Sequence, residues 1–232
     1  MIKIAIFSTF DYSLKTWSDS GVLEKELTIY KETASNHQVK FTFYTYGDED
    51  DYQFSEQMED FEIIPIYTLV KRKNNKILRY LYSLKIPFVL RSYGKDINII
   101  QQHQLFGSWV TIILKFIWKK PLFVRTGYDM YEFAIKENKK FYIKNLYKYL
   151  TKLALSFGDI YSVTSKSDAR FLNEKFNINT NNIKIRPNWV KEQKVKKFNT
   201  RYSDKILCVG RLVNQKNYSF LFNELKDGNK KF

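Results

Sequence analysis

One cysteine, Cys208, is all that the 232 residues contain. That excludes an internal disulfide and suits a reducing compartment; the residue reads as a small apolar side chain inside a strand. Long apolar runs are missing too. None reaches the roughly 18 uninterrupted residues of a membrane-spanning helix, and the nearest, WVTIILKFIW (109–118), is short and broken by Lys115. The opening MIKIAIFSTF enters a strand-like run at once, without a cleavage site, so no secretory leader is read. Histidine is limited to His37 and His103, and no Cys/His cluster is available for zinc. Without Gly-x-Gly-x-x-Gly or a loop ending in Gly-Lys-Ser/Thr, nicotinamide-dehydrogenase and P-loop readings lose support. Without Gly-x-Ser-x-Gly there is no nucleophile elbow.

Positive charge is what the sequence has in excess: 39 Lys and Arg against 24 Asp and Glu, a net +15. Residues 184–232 carry 13 of the cations and four anions, whereas GDEDDYQFSEQMEDFE (47–62) is strongly acidic. Such a surface attracts phosphorylated ligands, anionic lipid headgroups or nucleic acid. No nucleic-acid recognition motif accompanies the charge, and no nucleic-acid partner is expected. An apolar fraction of 44% and an aromatic fraction of 17% argue for a folded core. The length suits one large domain or a domain and a half.

Hydrophobic periodicity supplies the architecture. IKIAIF (2–7) is apolar on both faces, as in a strand inside a parallel sheet. Leu23, Leu27, Tyr30 and Ala34 then recur at 4-3-4 spacing, one apolar helix face. Strands are expected at 39–46, 61–66, 97–101, 122–126, 159–165 and 182–188, with helices over 105–120 and 141–157. The second of these would bury Ile143, Leu146, Leu150, Leu153 and Phe157. Ser165 with Asp168 forms a capping box that opens a further helix. This alternation predicts an α/β fold: a Rossmann-like, mostly parallel sheet domain over 1–188. A basic linker (189–205) follows, then a strand at 206–209 and a helix, the first βα unit of a second, incomplete domain over 206–232. Basic and aromatic residues alternate over 77–95 and 141–152, a composition found on interfacial helices that ordinary amphipathic packing also explains.

Open parallel sheets bind ligands beyond the carboxyl ends of their strands. Within 210–217, Arg211 and Lys216 stand just before a helix start near Asn217. They would hold a diphosphate there, or are two solvated surface cations. Gly21, ahead of the first helix, either lets a phosphate approach the backbone or merely caps the helix. His103, at a strand's carboxyl end, would hydrogen-bond a sugar or shuttle a proton, or only order its loop. Asp129, with Arg125 and Glu132 nearby, would bind hydroxyls or cap a helix. The aromatics of YDMYEF, Tyr128 among them, would stack a sugar ring or pack in the core.

ILCVGRLVNQKNYSFL (206–221) resembles the entry to the second domain of GT-B-fold glycosyltransferases of family 4, where a strand ends in Gly-Arg and a Lys follows in a Gln-Lys turn. SVTSKSDARFLNEKFNINTNNIKIRPNWV (162–190) is similar to that family's first-domain close, ending in Pro-Asn at Asn188. IIQQHQLFGSW and PLFVRTGYDMYEF resemble its cleft-facing strand-loop segments. The resemblance implies transfer of a sugar from a nucleotide-sugar to a glycan or lipid-linked acceptor, without a bound metal or other cofactor. Arg211, Lys216 and Gly21 would hold the donor diphosphate. His103 and Asp129 would be catalytic, and Arg125, Tyr128 and Asn188 would line the acceptor side. Many members carry a histidine where this chain has Tyr128 and Asp129. They also hold the donor with paired glutamates late in the second domain, which residues 1–232 do not reach. The resemblance therefore implies a truncated donor domain, a chain inactive alone, or a non-catalytic acceptor-binding module completed by a partner chain. A cytoplasmic location is expected, with peripheral contact at the inner face of an anionic membrane.

Overall fold

A computed structural model describes residues 1–59, 61–177, 182–189, 206–210, 212 and 216–226. The chain divides into two units, Met1–Val190 and Lys191–Phe232.

In the first unit seven strands form one parallel sheet: β1 (Ile2–Phe7), β2 (Val39–Thr45), β3 (Phe61–Pro65), β4 (Ile99–His103), β5 (Leu122–Arg125), β6 (Ile160–Val163) and β7 (Ile183–Ile185). Their order is β3-β2-β1-β4-β5-β6-β7, so the winding reverses between β1 and β4. Helices α1 (Leu14–Asp19), α2 (Leu23–Asn36), α3 (Ile66–Leu69), α4 (Lys76–Ser83), α5 (Ile86–Val89), α6 (Ser108–Trp118), α7 (Met130–Lys136), α8 (Phe141–Phe157) and α9 (Lys166–Phe176) connect them.

Each sheet face builds its own core, because successive side chains of a strand point to opposite sides. Ile6, Phe41 and Phe43 pack with Trp17, Leu23, Leu27 and Tyr30 of α1 and α2. Phe7, Tyr44, Ile100 and Val124 pack on the other side with Val110, Leu114, Trp118 and Ala154 of α6 and α8. The expected capping box at the start of α9 is present, Ser165 and Asp168 bonding each other's backbone N–H. A second box, Ser13 with Thr16, starts α1, a helix that the polar sequence around it concealed.

Three expectations are corrected. β4 ends at His103 rather than Gln101, since its last three residues are polar yet buried, with side-chain partners that replace water. Second, α8 buries Leu150, Thr151, Ala154 and Leu155, whereas Leu146, Leu153 and Phe157 of the expected stripe lie exposed. Third, Ile206–Val209 forms no strand, and Cys208 is exposed. A strand exists by pairing, and these residues have no paired neighbour among the described ones. The second unit's described regular structure is one helix, α10 (Tyr218–Lys226). No helix among the described residues is long and apolar enough to cross a membrane.

Asp129 caps α7, its carboxylate accepting from the Glu132 amide at 2.7 Å and from Thr151 Oγ1 at 3.5 Å. Burial pushes its pKa up to about 6. A folded pKa above the unfolded one favours the protonated form in the native state. That contribution is full below about pH 4 and lost as pH rises through about 6. Asp129→Asn, which keeps the capping oxygen, should therefore exceed the wild type in stability by about 2 to 3 kcal/mol at pH 7 and match it near pH 4. Urea unfolding across this range checks the prediction; a pH-independent difference would falsify it.

Candidate active site

The crevice where the winding reverses lies beyond the carboxyl ends of β1 and β4, where sheets of this kind take ligands. The loops there are bonded to one another. Thr9 Oγ1 donates to the His103 carbonyl at 3.2 Å, and the Phe10 amide to that of Phe106 at 2.9 Å. The Gly127 amide donates to Gln104 Oε1 at 3.0 Å, and Thr164 Oγ1 to the Gly127 carbonyl at 2.7 Å. A polar rim thus joins the ends of β1, β4, β5 and β6. Gly107 permits it: its φ is +109°, and a Cβ there would lie 3.1 Å from the Phe10 amide nitrogen.

Beneath the rim a polar cluster ties α2 to the sheet. His103 and Arg125 are direct neighbours across β4 and β5, and Gln101 shares their face two residues earlier. Glu26 and Tyr30, one helical turn apart on α2, meet them. Glu26 Oε2 lies 2.6 Å from Arg125 Nη1 and 3.3 Å from His103 Nε2. The Tyr30 hydroxyl accepts from Gln101 Nε2 at 2.9 Å and from Arg125 Nη1 at 3.5 Å. Trp17 packs against the His103 ring at a tilt of 54°, centroids 5.0 Å apart.

The electrostatics follow from this packing. Burial alone would raise the Glu26 carboxyl, but the His103 hydrogen bond and the Arg125 charge outweigh it and hold the pKa at about 2. Burial, aided by the Arg125 charge, lowers that of His103, so the imidazole is neutral at pH 7. With its Nε2–H given to Glu26, Nδ1 is left as a buried acceptor without a partner among the described residues.

The other candidates lie apart from this cluster. Gly21 has φ +68° and open space where a Cβ would stand, just before α2; the helix begins there without a side-chain cap. Asp129 is buried as the α7 cap, the alternative weighed for it above. Tyr128 is half exposed, its ring 4.6 Å from that of Phe133. Asn188 is exposed. In the second unit Lys216 is exposed, and a Cβ on Gly210 would lie 3.6 Å from the Lys216 side chain and 2.7 Å from the Tyr218 hydroxyl. Gly210 therefore lies beside the start of α10. Arg211 lies outside the described residues.

Sequence reading missed Glu26, although a signal was there. On a helix whose apolar stripe runs through 23, 27 and 30, a carboxylate at 26 borders the buried side. Glu26→Gln should cost roughly 2 to 4 kcal/mol at neutral pH, because it leaves the largely buried Arg125 without its counter-charge. A depressed carboxylate pKa contributes stability above about pH 4.5 that is lost as pH falls towards 2. The penalty should shrink over that interval in chemical-denaturation curves. A penalty that holds constant to pH 2 would show that the pair carries no net charge coupling.

No family model and no curated protein matches the sequence. Solved structures do. HepE of Anabaena, in complex with UDP-glucose, superposes with a TM-score of 0.53 at 13% identity, over 81% of this chain and 44% of that one. The lipopolysaccharide outer core galactosyltransferase WaaB gives 0.53 at 11%, over 84% and 48%. The UDP-GlcNAc 2-epimerase of Neisseria meningitidis, bound to UDP-GlcNAc, gives 0.52 at 9%, over 80% and 46%. This chain spans less than half the length of each. At such identities the likeness is one of fold: a Rossmann-like α/β sheet with flanking helices, shared with a galactosyltransferase and with proteins crystallised on UDP-sugars.

Proposed function

We propose that this chain is the acceptor-side part of a glycosyltransferase. It would move a sugar from a nucleotide-sugar to a glycan or lipid-linked acceptor in surface polysaccharide or glycoconjugate synthesis, in the cytoplasm. The observation that carries the reading is the bonded rim at the winding reversal of a seven-stranded parallel sheet, in a fold shared with a galactosyltransferase and a UDP-glucose complex.

In this reading Arg211 and Lys216 take the donor diphosphate and stabilise the charge that develops as it leaves, without a metal ion. Gly21 leaves the backbone ahead of α2 open to the approach of a phosphate group. The bare Nδ1 of His103 receives a sugar hydroxyl, its ring fixed by Glu26 and, through Glu26, by Arg125. Asp129 sets the turn that presents Tyr128, and Arg125, Tyr128 and Asn188 complete the acceptor side.

The bonded rim and the polar cluster beneath it both lie within the first unit, which favours a second reading: these residues bind only the acceptor, and a partner chain brings the donor site. Donor hydrolysis by the chain alone supports the first reading; hydrolysis that needs an added donor-lobe chain supports the second. Under the first reading, calorimetric titration with UDP should weaken about tenfold for each cation removed by Arg211→Ala and Lys216→Ala. Undiminished affinity in the double variant removes the diphosphate assignment.

A further inference from the structure

We propose that the outer surface of α4 and α5, together with that of α8, docks on an anionic lipid bilayer. Residues 66–95 contain eight Lys and Arg and no Asp or Glu. Within them α4 and α5 already have a fixed inner face. Ser83 Oγ accepts from Trp109 Nε1 at 2.8 Å, the Leu90 carbonyl accepts from Trp118 Nε1 at 3.0 Å, and Ile86 is buried. A second apolar ridge points outward: Ile77, Leu81, Leu84 and Phe88 recur at 4-3-4 spacing and are all exposed, Ile77 by 69% and Phe88 by 63%.

Core packing does not account for that ridge. α8 repeats it with Tyr142, Leu146, Tyr149 and Leu153, again exposed at 4-3-4 spacing, with Lys144, Lys148 and Lys152 between them. Both α5 and α8 pack against α6, so the two ridges belong to one helical layer.

The surrounding charge decides the occupant. Lys73 and Lys85 place their ammonium groups 4.2 and 4.9 Å from the ring centre of Tyr82, itself exposed beside the ridge. A cavity of about 210 Å³ adjoins them, lined by Val70, Ile86 and Val89 together with Lys71, Lys73 and Lys85. Apolar walls beside three ammonium groups fit an anionic headgroup with its acyl chain below. The centres of protein–protein interfaces are depleted in lysine. Leucine and aromatic ridges flanked by lysine are instead what bilayer interfaces retain.

Cosedimentation of the full chain with phosphatidylcholine vesicles, with and without phosphatidylglycerol, tests this, and it needs no sugar donor. The chain should pellet with the anionic vesicles and stay soluble with the neutral ones. Leu81→Glu with Phe88→Glu should lower partitioning about tenfold or more, at an unchanged urea midpoint, since both residues are exposed. Lys71→Gln, Lys73→Gln and Lys85→Gln together should reduce both binding and its salt sensitivity. Equal binding to both vesicle types, or ridge variants that partition like the wild type, overturns the proposal. So does a dimer in sedimentation equilibrium that the ridge substitutions split while no vesicle binds, which would make a second copy the occupant.

Discussion

The contact between Glu26 and Arg125 is the constraint on which the geometry of the candidate site rests. A sheet covered on both faces has no water to offer the polar side chains on its strands, so each must find a partner within the protein. Here three adjacent positions, Gln101, His103 and Arg125, would each be costly if left alone. A single helical turn of α2 answers all three through Glu26 and Tyr30. The same turn fixes how far α2 stands from β4 and β5. It also decides the tautomer of His103 and hence which nitrogen is left bare. Helix position, imidazole protonation and the character of the crevice floor are one arrangement rather than three.

How much of this was legible in the sequence depends on the kind of interaction involved. Local signals carried through: the Ser165–Asp168 box, the apolar strand Ile2–Phe7 and the helix over 141–157 all lie where spacing placed them. What failed depended on contacts distant in sequence. β4 extends through Gln102 and His103 because Ser8, Thr111 and Glu26 supply their hydrogen bonds, and those partners lie from nine to 94 residues away in the chain. The apolar face of α8 was misassigned because the helix has two such faces, and periodicity alone does not say which one the sheet takes. At 206–209 the apolar run has strand composition but no paired neighbour among the described residues.

The same logic separates the candidate residues. His103 and Arg125 converge because strand register puts them side by side. Asp129, only four residues beyond Arg125, turns away because the start of α7 requires an acceptor for its own free amides. Its raised pKa marks burial. The lowered pKa of Glu26 marks a partnership that survives burial. Two carboxylates near one end of the sheet therefore shift in opposite directions for reasons visible in their contacts.

The excess of positive charge finds a structural sense in the same terms. Cations scattered over a surface oppose folding by mutual repulsion, and an acid-free segment such as 66–95 concentrates that cost in one place. Ordinary selection for solubility would intersperse acids there, as it would replace Ile77 and Phe88 with polar residues. Both departures fall on the same two short helices and recur, with the same 4-3-4 spacing, on α8. A surface that is at once too basic and too apolar for water alone is suited to a neighbour that is anionic outside and apolar within, which is the cross-section of a charged bilayer.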